Sequence, residues 1–443
     1  MIGIIAFVCS LIMFVVSLFL KKNKLINPLS FFCGLWTFIL FLSSLRLFDI
    51  ITPSNKAYFL IITMISFFSI GYILQKFIPK KKKNKEVKED IDFEPNEKKL
   101  KLYFFLSYVA IFFTVIDCIV ILKGIIDGYP LYEIRRWGMV PYGQGGNPLV
   151  DRRSLFEETF RVICLEPFGL LVPAVTSYAF FKFKNRKLAK KIIIVSMTYL
   201  FLSNISSGFG RLAIFYFIIC FAFGFVLSKN TITISKKMKR IITISLIIGV
   251  LSMTLFTVMR SGSNVFKQVY TYFAMPPTLL SMWLRDLDKV PHTFGFLTFY
   301  GILGYFFKGF KIIGLSFLVP EVYDLTYNHI LGAENFIFAG FGNANAFVTP
   351  VYYFYIDGGI TFTILASLFF GFVVSRVYDK IESNLNMKNY ILYCVVMYGL
   401  FVSFMRVQTC IPGYIISIII VYLLFNERKC SDEWFNNCCN TCI

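Results

Sequence analysis

Long apolar runs separated by short basic segments are the feature that most restricts the fold of this 443-residue chain. Hydrophobic residues make up 57% of the sequence and charged residues only 16%, whereas about a quarter of a soluble domain is charged. A helix that crosses the hydrocarbon core needs about 20 apolar residues, and its backbone must satisfy its own hydrogen bonds there. The sequence therefore predicts an all-α polytopic membrane protein with about eleven transmembrane helices. The apolar runs lie at roughly 2–20, 27–48, 57–78, 102–122, 162–181, 192–206, 212–228, 241–258, 360–377, 390–405 and 411–425.

Basic residues follow every second apolar run, as Lys80–Lys83 do after the third. Because cytoplasmic loops carry an excess of Lys and Arg, this alternation predicts an N-terminus outside and a C-terminus in the cytoplasm. We interpret residues 1–443 as a single transmembrane domain. Its connecting segments are two large outer loops at 123–161 and 259–358, a charged cytoplasmic linker at 79–101 and a cytoplasmic tail at 426–443.

The apolar segment 294–319 has two interpretations, because Lys308 and Lys311 interrupt it. Amphipathic stretches with aromatic and basic residues settle at the membrane interface, so we expect interfacial helices in the second outer loop. A pair of membrane spans is the alternative. A single extra span would invert the last three helices against their charges.

The arginines of the chain are distributed differently from its lysines. The net charge of +20 lies mainly in the short loops that set topology, so no nucleic-acid partner is expected. A guanidinium binds phosphate or carboxylate with two parallel hydrogen bonds. External arginines therefore predict an anionic ligand on the outer face, with local ion pairs to Asp151 and Glu157 as the alternative. Ten of the fourteen arginines lie on or near the predicted outer side: Arg46, Arg135, Arg136, Arg152, Arg153, Arg161, Arg211, Arg260, Arg285 and Arg406.

Three of these arginines are predicted at one membrane depth, the level of a lipid phosphate. Arg211 ends a glycine-containing turn, Arg260 follows the eighth run, and Arg406 ends the tenth. Two carboxylates, Asp117 and Glu166, lie inside predicted helices near their outer ends. An intramembrane carboxylate is costly, so each is expected to hold an arginine, to bind a substrate hydroxyl or to make a structural hydrogen bond.

The only two histidines, His292 and His329, both fall in the second outer loop. An imidazole titrates near neutral pH and can take the proton of an attacking hydroxyl, although a surface position without a role is the alternative. Asp286 and Asp288 have the spacing of a metal-binding pair that serves nucleotide sugars. Such sugars are cytosolic, and the pair is predicted outside. We therefore expect no metal and no cofactor.

Two stretches in and after the second outer loop carry recognisable spacings. The first contains Tyr270, Tyr272, Pro276, Pro277, Leu280, Leu284, Gly295 and Thr298. The second contains Asn345, Phe347, Thr349, Tyr353, Asp357, Gly358, Gly359 and Gly371. Both resemble the O-antigen and capsule repeat-unit polymerases, called Wzy-type polymerases. The second stretch departs from that family's D-F-G-x-x-G signature, because Gly358 replaces the usual Phe and Phe362 replaces the usual second Gly; one extra residue also separates Asn345 from Thr349.

The resemblance implies a GT-C-like glycosyltransferase that polymerises undecaprenyl-diphosphate-linked oligosaccharide repeat units into O-antigen or capsular polysaccharide. The reaction would occur on the outer face of the bacterial plasma (inner) membrane, where a hydroxyl of the next unit displaces undecaprenyl diphosphate. Expected partners are the lipid-linked substrate, membrane lipid, a chain-length regulator and a flippase. The catalytic candidates are His292 and Asp357, with Asp117 and Glu166 in support. The expected diphosphate ligands are Arg211 and Arg260, supported by Arg135, Arg136 and Arg406.

Three other functions fit a chain of this kind less well. An O-antigen ligase would run the same reaction with a lipid A core as acceptor. A flippase or exporter of lipid-linked glycans would not be an enzyme, and charges lining a pore rather than two large outer loops would favour it. A membrane O-acyltransferase uses an intramembrane histidine, and no histidine lies in a predicted helix here.

Overall fold

The computed structural model describes residues 2–20, 26–78, 97–129, 134, 155–183, 186–207, 212–228, 265–340, 342–344 and 347–425. The helices that precede residue 260 are α1 (Ile2–Phe19), α2 (Pro28–Leu45), α3 (Asn55–Phe77), α4 (Glu97–Ile126), α5 (Leu155–Lys182), α6 (Arg186–Ser206) and α7 (Leu212–Ser228). Those that follow are α8 (Val265–Ala274), α9 (Pro276–Leu287), α10 (Tyr300–Ile312), α11 (Val322–Ala333), α12 (Thr349–Ser383), α13 (Met387–Phe401) and α14 (Pro412–Phe425). Short 3-10 helices lie at Ser316–Leu318, Val402–Phe404 and Gln408–Cys410, and β1 (Ile337–Phe338) pairs antiparallel with β2 (Asn343–Ala344).

Eight of the described helices, α1 to α6, α12 and α13, contain stretches long and apolar enough to cross a membrane. The shorter helices α7 and α14 are also apolar. The chain is therefore an all-α polytopic membrane protein in its described part, as predicted. The span predicted at 241–258 lies outside the described residues.

Helix α1 shows how the sequence adapts to lipid. Large side chains such as Ile4, Ile12 and Phe19 are exposed. Lipid tails are as apolar as these side chains, so burying them gains little, whereas small residues let helices approach closely. The buried residues of α1 are Gly3, Ala6, Ser10 and Ser17.

Helices α3 and α12 cross at two glycines that face each other. A Cβ atom on Gly71 would lie 2.1 Å from the carbonyl oxygen of Leu368, and one on Gly371 would lie 2.0 Å from that of Phe68. Any larger residue would therefore push the two backbones apart. One turn beyond the crossing, Ser375 donates a 3.0 Å hydrogen bond to the side-chain oxygen of Gln75. Small residues and interhelical hydrogen bonds commonly stabilise the packing of membrane helices.

The helices have two distinct ends. At one end Tyr72 of α3 donates a 2.9 Å hydrogen bond to Asn27, which precedes α2, and Asn389 of α13 donates to the carbonyl of Lys380. The other end carries a group of short elements that we call the loop layer: α8 to α11, the β1–β2 hairpin and the linker 402–411. The loop layer contacts residues 46–56, which follow α2. Because α2 runs from one end to the other, the loop layer lies opposite Asn27.

The turn between α2 and α3 is strained and held by the loop layer. Tyr270 of α8 donates to the carbonyl of Leu42 at 2.6 Å and accepts from the amide of Leu47 at 3.0 Å. Thr278 of α9 donates to the carbonyl of Ile51 at 2.8 Å. Positive backbone φ values are uncommon for residues with side chains, so neighbouring structure must impose them. The turn residues with positive φ are Arg46, Phe48 and Asp49.

The apolar segment 294–319 forms helix α10 and a 3-10 turn. With 13 residues, α10 is about 20 Å long at 1.5 Å per residue. It is therefore too short to cross a hydrocarbon core of about 30 Å, and the alternative of two membrane spans is not formed in this segment. Ile302, Phe306 and Ile313 are exposed along it, and Lys311 pairs with Asp324 of α11 at 2.6 Å.

Candidate functional site

Four of the predicted site residues, Arg211, Arg260, Arg135 and Arg136, lie outside the described residues. The structure describes the other five, which are Arg406, Asp117, Glu166, His292 and Asp357. Asp357 lies in the first half of α12, and Arg406 and His292 adjoin it.

The first half of α12 buries a line of polar side chains. Thr349, Tyr353 and Asp357 are spaced four residues apart, so they share one helix face. All three are essentially inaccessible, with exposures of 0%, 2% and 0%. We call this face the polar seam. Its partners are the turn 293–298 and the linker 402–411. Burying a polar side chain costs free energy unless it is hydrogen-bonded, so the hydrogen-bond partners of these side chains matter for stability.

Asp357 binds the turn 293–298 through its carboxylate. Oδ1 accepts from the Thr293 hydroxyl at 2.5 Å and from the Leu297 amide at 3.1 Å, while Oδ2 accepts from the Thr298 amide at 2.9 Å. The backbone carbonyl of Asp357 also accepts from the Phe294 amide at 2.9 Å. Three donors on one buried carboxylate compensate the loss of water around it. Asp357 is therefore the centre of a rigid contact between α12 and the loop layer.

Helix α12 is interrupted immediately after Asp357. Gly359 has φ +63° and ψ −148°, a conformation open in practice only to glycine. The sequence predicts an outer loop up to residue 358 and a span from 360, whereas in the structure a further helical segment, beginning at Thr349, precedes the interruption. The additional helical turns form because their buried face packs on the loop layer, a tertiary contact that local apolarity does not reveal.

The two departures from the polymerase signature lie against each other. A Cβ atom on Gly358 would lie 3.0 Å from Cβ and 3.6 Å from Cγ of Phe362. The Phe362 ring also lies 3.4 Å from the Cβ position of Gly295, in the turn that Asp357 holds. The side chain of Phe362 therefore packs against both Gly358 and the turn that Asp357 holds.

His292 lies at the surface, immediately before the turn that Asp357 holds. Its Nδ1 atom is 3.1 Å from the carbonyl oxygen of Ile356. A carbonyl only accepts, so Nδ1 carries a proton and Nε2 of the neutral ring is left with its lone pair. The imidazole is thus oriented with a basic nitrogen away from the helix. Gly359 leaves room for it, because its Cβ position is 3.9 Å from His292 Cε1.

The second histidine has a different environment. His329 of α11 is partly buried, and its Nε2 atom is buried without a hydrogen-bond partner in the described part of the chain. Burial lowers the pKa of His329 below its ordinary value of 6.5. The two histidines, equivalent in the sequence, are therefore distinguished by the structure.

Arg406 lies at the other end of the polar seam. Its Nη2 atom is 2.6 Å from a carboxylate oxygen of Glu334, and its side chain is 19% exposed. Tyr353 and Cys410 lie next to the guanidinium, and burial raises the pKa of the Cys410 thiol to about 12. The preceding residue is fixed by the start of α12, because the carbonyl of Met405 accepts from the Val348 and Thr349 amides at 2.9 and 3.0 Å. One cationic group is thus held in a largely water-excluded setting.

Thr349 itself is held in an unusual conformation. Its φ is +66°, which is rare for a β-branched residue. Its side chain is fully buried, and its hydroxyl has no hydrogen-bond partner among the described residues. Strain of this kind persists only where surrounding contacts impose it. Here the hydrogen bonds that the Val348 and Thr349 amides donate to the Met405 carbonyl supply that constraint.

The two intramembrane carboxylates have separate positions. Asp117 of α4 accepts a hydrogen bond from Arg161 of α5, whose guanidinium also lies over the Phe113 ring at 5.7 Å. Glu166 lies against the first turn of α14, where the Cβ position of Gly413 would be 2.6 Å from Oε2. A helix N-terminus carries partial positive charge and suits a carboxylate. Asp117 therefore holds an arginine, which is one of the three roles expected for it, and Glu166 lies at the N-terminus of α14.

Asp288, the second residue of the DxD spacing, is engaged in side-chain contacts. Lys56 lies 2.7 and 2.8 Å from the two carboxylate oxygens of Asp288, and the Tyr355 hydroxyl donates to the first of them at 2.7 Å. These hydrogen bonds hold the pKa of Asp288 below its ordinary value. Among the described residues, no cluster of three or more His, Cys, Asp or Glu side chains has the geometry of a metal site.

Glu334, Thr293 and Cys410, which are partners in this region, are not predicted from the sequence. The spacing of Thr349, Tyr353 and Asp357 was a usable signal, since three polar residues at intervals of four define a helix face. Comparison of the chain with protein-family models, with curated proteins and with solved structures gives no match.

Proposed function

We propose that this protein is a multi-spanning glycosyltransferase that polymerises undecaprenyl-diphosphate-linked oligosaccharide repeat units on the outer face of the bacterial plasma membrane. The observation that carries the proposal is the polar seam of α12. It joins an ordered histidine with an available nitrogen, His292, to a largely buried arginine, Arg406, within one layer at one end of a membrane bundle. A base and an anion-binding group at the lipid surface are what transfer from a lipid diphosphate requires.

The proposal includes a topology. We assign the loop layer to the outside, the N-terminus to the outside and the C-terminus to the cytoplasm, with eleven spans in a GT-C-like arrangement. Lys380 and Lys388 support this orientation, because they lie at the end opposite the loop layer and lysines mark the cytoplasmic side. The exposed aromatic and aliphatic side chains of α10, beside Lys308 and Lys311, suit a helix lying in the outer interface.

In the proposed reaction, a hydroxyl oxygen of the incoming repeat unit forms a bond to the anomeric carbon of the growing glycan. The bond between that carbon and the diphosphate oxygen breaks, and its electron pair leaves with undecaprenyl diphosphate. Nε2 of His292 accepts the hydroxyl proton and passes it to solvent. Arg406 stabilises the charge that builds on the leaving diphosphate. From the sequence we add Arg211 and Arg260 as diphosphate ligands, with Arg135 and Arg136 in support.

The test is deletion of the gene followed by gel analysis of surface polysaccharide. If the protein is a polymerase, the deletion strain shows a one-repeat band in place of a ladder. The wild-type gene restores the ladder, and the His292→Gln gene does not. Accumulated lipid-linked polymer would identify a ligase instead. Loss of all surface glycan with build-up of lipid-linked units inside the cell would identify a flippase. Arg211→Lys is expected to impair chain growth although it keeps the charge, because lysine lacks the planar fork.

A further inference from the structure

We infer that Asp357 is a positioning residue that fixes the place and tautomer of His292, and this inference rests on the proposed function. The sequence offered Asp357 as a catalytic group. With 0% exposure and three donors on its carboxylate, it has neither access to a substrate nor a free role in proton transfer. What it contacts is the turn that follows His292.

Two neighbouring residues of α12, Ile356 and Asp357, bind His292 and the turn that follows it. The Ile356 carbonyl accepts from His292 Nδ1 at 3.1 Å and from the Thr293 amide at 3.2 Å. The Asp357 carbonyl and carboxylate then bind the rest of the turn, as described above. The hydrogen bond from the imidazole to the Ile356 carbonyl therefore depends on the conformation of the turn 293–298, which the carboxylate of Asp357 maintains.

The tautomer follows from this geometry. In a free neutral imidazole the Nε2–H form predominates, whereas a hydrogen bond from Nδ1 to a carbonyl selects the Nδ1–H form. Only that form leaves Nε2 able to accept a proton from a hydroxyl. By closing the turn, Asp357 thus holds His292 in the form that the proposed reaction needs, without touching the reacting atoms.

Among the described residues near this region, three charged or titratable groups come from three elements. Lys56 at the start of α3, Asp288 after α9 and Tyr355 of α12 form one hydrogen-bonded group. Tyr355 directly precedes Ile356, whose carbonyl binds the imidazole. Asp357→Asn changes none of these three groups but removes a carboxylate. Thr293→Val, which alters no charge, therefore separates an effect of the turn from an effect of the lost charge.

The experiment uses the full-length protein reconstituted in lipid, with ¹⁵N-labelled histidine, in a His329→Gln background so that His292 is the only histidine. Solid-state NMR above neutral pH reads the tautomer. We expect the Nδ1–H form in this parent protein and a predominance of Nε2–H in Asp357→Asn, because a carboxamide cannot accept from all three donors. Thr293→Val is the milder second variant, and Thr293→Ser is expected to restore the parent spectrum. Asp324→Asn, an exposed loop-layer carboxylate paired with Lys311, is the matched control.

Chain-growth kinetics complete the test. We expect Asp357→Asn to lower kcat by about 10²-fold, within the range for loss of a general base, with KM nearly unchanged. An unaltered Nδ1–H spectrum in both Asp357→Asn and Thr293→Val would overturn the inference. A normal polysaccharide ladder in His292→Gln, together with the expected tautomer change, would instead refute the proposed role of His292 in function and leave the positioning contact intact.

Discussion

The first and second halves of α12, on either side of Gly358 and Gly359, bury different kinds of residue against their neighbours. The first half presents the polar seam, in which the Asp357 carboxylate and the Thr349 amide make directional hydrogen bonds to the turn 293–298 and the linker 402–411. The second half presents Gly371 to Gly71 of α3, where the two backbones can approach closely because neither residue has a side chain. In lipid, close approach of helices and interhelical hydrogen bonds such as that from Ser375 to Gln75 hold the bundle together. In the loop layer, hydrogen bonds additionally determine where each polar group points.

This difference separates stability from function along a single helix. A change in the second half is expected to unfold or misassemble the bundle. A change in the first half is expected to leave the bundle folded while displacing His292 or Arg406. The four predictions below test that separation, in decreasing order of expected effect.

Gly371→Leu is expected to have the largest effect. Overpacking commonly costs about 1–3 kcal/mol, and here the obstructing atom is the Phe68 carbonyl, 2.0 Å from the new Cβ. Because that atom belongs to a helix backbone, it cannot rotate away, and the cost is expected at or above the upper end. The measurement is the yield of monodisperse protein and its thermal unfolding in lipid.

Gly169→Leu is the matched control for the crossing. Gly169 lies in the apolar helix α5. Apart from the backbone of that helix and the two adjacent residues, no described atom lies within 4 Å of its Cβ position. This variant is expected to keep wild-type yield and stability. Equal losses in the two variants would contradict the claim that the crossing of α3 and α12 is specially sensitive.

Arg406→Lys is expected to reduce chain growth by about 10²-fold, the loss seen when one donor to a developing negative charge is removed. Lysine keeps the charge and a single contact to Glu334 but loses the planar fork. Thermal stability is expected to change little, since the bundle is untouched. Arg285→Lys, at an exposed position of α9, is the control and is expected to retain normal chain growth. A full-length ladder in Arg406→Lys would reduce Arg406 to a structural partner of Glu334.

The exchange at positions 358 and 362 is expected to show coupling. Gly358→Phe introduces a side chain 3.0 Å from Cβ of Phe362, and Phe362→Gly removes the ring over the turn that Asp357 holds. The double variant restores one ring and one glycine, and φ of 176° at 358 is accessible to any residue. Contacting residues typically couple by about 0.5–3 kcal/mol. Unfolding free energies of both single variants and the double variant measure this coupling, and strictly additive losses would show that the two departures are unrelated.

The membrane-spanning part of the fold was predictable because lipid imposes a length and an apolarity that each helix must carry in its own residues. The runs predicted at 2–20, 27–48 and 57–78 coincide with α1, α2 and α3. The crossing at Gly71 and Gly371 was not predicted. A glycine in a helix has many uses, and its partner lies 300 positions away in sequence.

The site was predictable only in its residue types. The sequence selected His292, Asp357 and Arg406 because of their chemistry and side of the membrane, but it could not assign their contacts. Asp357 and Thr293 are brought together by the return of the chain along the loop layer, a non-local contact with no periodic signal. The partly buried imidazole of His329 and the exposed one of His292 differ for the same reason, since each environment depends on packing between elements.

The smallest effect concerns pH and also compares the two regions. Burial lowers the pKa of His329, so the folded protein binds this proton less readily than the unfolded chain, whose histidine pKa is about 6.5. Below pH 6.5 the unfolded state therefore takes up more protons, and stability falls as pH decreases; above that pH the group contributes nothing. Because His329 lies in α11 of the loop layer, the protection factors of α11 amides, corrected for intrinsic exchange, should fall from pH 7.5 to pH 5.5 while those at the crossing of α3 and α12 stay high. His329→Gln should remove this fall in α11 protection, and an unchanged fall in that variant would show that another group in the loop layer is responsible.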